Sequence, residues 1–131
     1  MTAGLHAVNL ANKWLNMLSG TAFTAPTTTY AQLHTADPGA AGTTAVSSVT
    51  SRMAWTWAAA SAGSKAAAAT FPSWTNWAGT NGEVVTHVSV WDASSAGNFL
   101  YSYALTASKT VNTGDTLTLS SHSFSISPIA A

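Results

Sequence analysis

The chain has 131 residues, the length of one ordinary domain, and its 4 Lys plus Arg balance its 4 Asp plus Glu to a net charge of zero. With no cysteine it forms neither disulfides nor thiolate metal sites, and its scattered cations, Lys13, Arg52, Lys65 and Lys109, do not make the clustered basic surface that nucleic acid requires. Charged residues are 6% of the sequence, against about 25% in an average soluble domain, and six Trp accompany that deficit.

The first predicted element is an amphipathic helix over Leu5–Leu18 (LHAVNLANKWLNML), with Leu5, Val8, Leu15 and Leu18 on one broad face and Leu10, Trp14 and Met17 beside it. Thr2 is placed to cap its start and Gly20 to end it. After Pro26 the hydrophobic period changes to two. Thr28–Thr35 alternates Ala31 and Leu33 against Tyr30, Gln32 and His34, and Arg52–Ala58 puts Met53, Trp55 and Trp57 on one face. The segment Ala58–Ala69 (AAASAGSKAAAA) is low in complexity and fits a short helix, a mobile loop or a weak strand. Val84–Trp91 is apolar on both faces and reads as a central strand; Asn98–Leu105 stacks Phe99, Tyr101, Tyr103 and Leu105. Thr116–Leu119 and His122–Ile126 complete the pattern.

Turn chemistry separates these runs: Asp37-Pro38-Gly39, Asn81-Gly82, Ala96-Gly97-Asn98 and Thr113-Gly114-Asp115. Short strands between such turns predict an all-β fold: an antiparallel β-sandwich, jelly-roll-like, with a short N-terminal α-helix. The expected organisation is a single domain over 1–131, with a helical segment over 1–20 and the sandwich over 27–131. The N-terminus lacks the basic flank and apolar block of a signal peptide, and no apolar run approaches a membrane span, so no leader and no membrane partner are expected.

The acids Asp37, Glu83, Asp92 and Asp115 lie far apart, and no nucleophile, zinc or phosphate-loop motif is present, so neither catalysis nor a cofactor is expected. His34, half exposed on its strand, and the turn-forming Asp37 read as structural; a metal site from His34, His87 and Asp92 would require the fold to converge them. Trp55, Trp57, Trp74, Trp77, Trp91, Tyr101 and Tyr103 could make a sugar-stacking platform, but in a sandwich this small such rings are mostly core or subunit contacts. The stretch Phe71–Trp77 (FPSWTNW), interrupted by Pro72, suits a regular strand poorly and is expected as an exposed aromatic loop. With Trp14, its residues Phe71, Trp74 and Trp77 are the candidate interface contacts.

Three pieces together, NKWLN (12–16), LHTADPGAAGT (33–43) and THVSVWDASSAGNFLYSYALTASKTVNTGDTLTL (86–119), resemble a family of small structural proteins of tailed bacteriophages and prophages. The likeness is weakest over 44–80, and around TTAVSSVTSRMAWTWAAAS (43–61) this chain carries fewer charges than the family usually does. It implies a virion component: a head decoration or minor capsid protein bound to the major capsid protein lattice on the capsid exterior, or alternatively a tail- or fibre-associated protein that binds the host surface, possibly its carbohydrate. A surface so poor in charge is either kept soluble by Ser and Thr hydroxyls or covered by neighbours. The second is the expectation, as a homo-oligomer with three-fold symmetry first.

Overall fold

The computed structural model describes residues 3–127. Its strands are β1 (Thr29–His34), β2 (Met53–Trp55), β3 (Ser64–Ala66), β4 (Ser73–Trp74), β5 (Glu83–Trp91), β6 (Phe99–Val111), β7 (Leu117–Thr118) and β8 (Ser123–Ser125). They pair antiparallel as one four-stranded sheet, β2-β1-β5-β6, and two ribbons, β3-β8 and β4-β7. The architecture is mostly antiparallel β, sandwich-like, with one short N-terminal helical segment.

The inner strands β1 and β5 explain the apolar runs. Ala31, Leu33, Val85, Val88 and Val90 are fully buried. Gln32 and His34, on the other face of β1, are buried too, which places His34 inside rather than half exposed as the alternation suggested. Each polar side chain has partners: Gln32 Nε2 donates to Thr50 O at 3.2 Å, and His34 Nε2 lies 2.7 Å from Ser89 Oγ.

The strand β6 runs six residues past the predicted end at Leu105. Its pairing resumes beyond a bulge in which Leu105–Ser108 lie opposite the single residue Thr86. The low-complexity segment resolves into a strand, β3, turned by Ala62 and Gly63 with φ of 47° and 69°. Before the helix, Gly4–His6 lie along the edge of β6, with His6 N donating to Leu100 O and Ser102 N to Gly4 O.

Three of the four acids work locally and the fourth joins two distant segments. Asp37 Oδ1 accepts from Gly39 N at 2.8 Å, and Asp115 Oδ2 accepts from Asn112 N at 2.8 Å. Asp92 accepts from both the backbone and the side-chain nitrogen of Asn98. Glu83 accepts from Ser48 N and Oγ, tying β5 to the loop before β2. Arg52 braces the Asp92 turn, donating from Nη1 to Ala93 O and Ala96 O while its guanidinium lies 3.7 Å over the Trp91 ring.

The segment Phe71–Trp77 is not an exposed loop. Leu119 N donates to Pro72 O, β4 pairs with β7, Trp77 N donates to Asp115 O, and Gly114 N donates to Trp77 O. Pro72 has no N–H to lose in this arrangement, since only its carbonyl is needed. Asn76, at φ 51°, bends the chain between the two Trp residues. Trp74 and Trp77 are 2% and 1% exposed, so both are core residues and neither is available as a surface anchor in this fold.

Candidate functional site: an aromatic groove beside the N-terminal helix

The helical segment begins with a wide turn over Ala7–Ala11, continues as α1 (Asn12–Asn16) and ends in a tight turn over Met17–Ser19. Its first turn is capped by His6, whose Nδ1 accepts from Asn9 N at 3.0 Å; Thr2 lies outside the described residues. Gly20, at φ 79°, ends it as predicted. The expected apolar stripe does not pack into a core. Leu10 is buried and Trp14 half-buried, while Val8, Leu15 and Leu18 are 65%, 63% and 89% exposed.

A groove of about 820 Å³ opens beside this segment. Leu10 and Trp14 form one wall, and Phe23 and Pro26 from the connection to β1 form another. Trp55 and Trp57 contribute from the edge of the main sheet, and Phe124 and Ile126 from the end of the chain. Lys65 is the one charged side chain lining it among the described residues, and its Nζ already donates to Ala58 O at 2.8 Å. A concave site of this size, apolar with a few polar groups at its rim, is where a protein's binding function is first sought.

Behind the groove lies a stack of rings. Trp14 meets Phe124 edge-on with centroids 5.5 Å apart; Phe124 sits 5.1 Å from Tyr101. The His122 ring is parallel to Tyr103 at 4.0 Å and 5.4 Å from Trp55. Burial lowers the His122 pKa to about 4, so at neutral pH the ring is uncharged, and its Nε2 shares a hydrogen bond with the Tyr101 hydroxyl at 2.9 Å. Burial pushes both tyrosine hydroxyls well above their usual range, which keeps them protonated.

The His122 shift has a consequence for stability. In the unfolded chain His122 takes up a proton near pH 6.5, whereas in the fold it does not until about pH 4. The unfolded state therefore binds more protons in that window, and stability falls as pH drops through it. His34 is also lowered, first by burial, and acts in the same direction. The expected loss is about 1–2 kcal/mol for His122 once its partial contact with solvent is discounted. Thermal unfolding followed between about pH 7 and pH 4 should show it, and His122→Phe should flatten the slope. An unchanged slope in that variant would contradict the assignment.

The structure separates the residues proposed from sequence. Trp14 lines the groove. Phe71 is half-buried beside a smaller hollow of about 220 Å³ that also touches His122. Trp74 and Trp77 belong to neither hollow. The sugar-stacking set is dismantled in the same way: Trp55, Trp74, Trp77, Trp91 and Tyr101 are buried, which leaves Trp57 and Tyr103 half-open.

His34 and His87 face each other across β1 and β5. The His34 ring nitrogens are both engaged, by Thr44 O and Ser89 Oγ; His87 Nδ1 lies 2.8 Å from Thr86 Oγ1, and Asp92 is held by Asn98. No group of three or more His, Asp or Glu side chains able to hold a metal occurs among the described residues. Phe23, Phe124 and Ile126 were missed as groove residues. Only Phe124 and Ile126 carried a signal, as the apolar positions of the last predicted strand.

Fold and groove define a small β-rich module whose acids and buried histidines organise its own turns and sheet, and which carries an apolar, ring-lined groove with a single lysine among its described lining residues. The family model of the podophage GP4 fiber I protein gp80 matches residues 7–127 of the chain, and the chain belongs to that family. It is thus a small structural protein of a tailed-phage virion. Among curated proteins none matches it.

Proposed function

We propose that the protein is a non-catalytic subunit of a virion fibre or of the structure that anchors one. The observation that carries this reading is the match to the fiber I family over 7–127, which supports a fibre role above decoration of the head. The chemistry of the chain agrees with a structural role. Each of its four carboxylates serves a turn or a loop, and the groove beside its helical segment is mainly apolar. Such a surface suits packing against protein, where burying apolar area supplies most of the free energy.

Copy number tests the proposal. Purified virions digested with an isotope-labelled standard peptide from this chain are expected to contain a few copies to a few tens, in proportion to the fibres. Hundreds of copies, in proportion to the major capsid protein, would overturn it and return the chain to the head exterior.

A further inference from the structure

We propose that the groove receives the exposed end of the helical segment from a second copy of this chain, in a head-to-tail contact. The two halves of such a contact lie on one molecule. The knob is Leu15, Met17 and Leu18, three apolar side chains that stay mostly exposed in their own chain. The hole is the apolar groove, lined among others by Trp57, Phe124 and Ile126, with Phe124 meeting Trp14 of the helical segment edge-on. Its volume of about 820 Å³ is ample for several aliphatic side chains.

Three observations favour a second copy over another occupant. The knob carries no charge, and the groove has one lysine already hydrogen-bonded to Ala58, so like copies meet without repulsion. The net charge is zero, which removes the long-range repulsion that keeps most monomers apart. The exposed apolar side chains of the knob and the apolar groove are of like character, so each offers the other the burial that water denies it.

In the head-to-tail arrangement each copy gives its knob to one neighbour and its hole to another, and the assembly closes into a ring or continues as a filament according to the rotation between copies. A three-fold ring is one closed solution. The inference rests on these surfaces and holds wherever on the virion the protein sits.

The test uses the whole chain and three double variants at exposed positions. Leu15→Lys with Leu18→Lys removes the knob, Ile126→Lys with Ala60→Lys blocks the rim of the groove, and Thr106→Lys with Ala107→Lys adds the same charge on β6 as a control. Circular dichroism should show all three folded.

By light scattering from roughly 5 to 200 µM, the unmodified protein and the control should grow in mass with concentration. The knob and groove variants should each stay monomeric, and their one-to-one mixture should double in mass and stop, because one good knob meets one good hole. An unmodified protein that is monomeric throughout overturns the proposal, including the case where it binds host glycan instead. Knob or groove variants that associate as the unmodified protein does, or a mixture that stays monomeric, overturn it as well.

Discussion

Trp77→Ala is expected to lower the unfolding free energy by about 3–5 kcal/mol, the usual cost of emptying a buried aromatic site. The ring is 1% exposed, and its Nε1 donates to Thr80 O at 3.2 Å. The substitution removes that bond, leaves a cavity beside the β4-β7 ribbon, and takes the support from under the turn that Asp115 organises. For a chain of this length the midpoint of thermal unfolding should fall by roughly 10–20 °C. Trp74→Ala should act similarly, since Trp74 is equally buried and its Nε1 donates to Ser51 O at 2.9 Å. A shift of only a few degrees in either variant would show that these rings are not core residues. Any loss of partner binding in them should follow from loss of fold.

Gly42→Ala is expected to cost about 2–4 kcal/mol, a large effect for one methyl group. Gly42 has φ 71° and donates its N–H to Gly39 O at 3.1 Å, closing the turn that follows β1. A side chain there is strained by the backbone alone, and its Cβ would clash with the ring atoms of Phe99. Phe99 cannot easily yield, because it is buried between His6 and Trp91 at 5.7 and 5.6 Å. Unfolding in denaturant measures the loss. In a Phe99→Ala background the same substitution should cost less, since only the backbone strain remains. Equal costs in the two backgrounds would contradict the contact.

The turn at Asp37-Pro38-Gly39 was readable because an Asx turn is local, and the structure shows Asp37 bonded to Gly39. The alternation of Ala31 with Leu33 was readable for the same reason, because a strand repeats every two residues.

The burial of Trp74 and Trp77 was not legible, because it depends on pairing with residues some 40 positions further on. Nor was the length of β6 past Leu105, since the bulge opposite Thr86 breaks the alternation. His34 was misplaced because a buried imidazole needs two distant partners, Thr44 O and Ser89 Oγ, that no local pattern announces. The groove assembles Trp14, Phe23, Trp57 and Phe124 from four separate stretches, and only the fold brings them together. The helix was the reverse case. A helical segment forms where it was predicted, but Leu5 lies before it, its turns change from wide to tight, and Leu10 and Trp14 are its buried side, while the predicted face of Val8, Leu15 and Leu18 is exposed.

The central claim is that this chain belongs to a fibre of the virion. Gold-labelled antibody raised against the purified protein, applied to intact phage and viewed by electron microscopy, tests it most directly. Label confined to fibres or to their attachment points is the predicted result. Label spread over the head shell, or seen only after the particles are broken open, would contradict it.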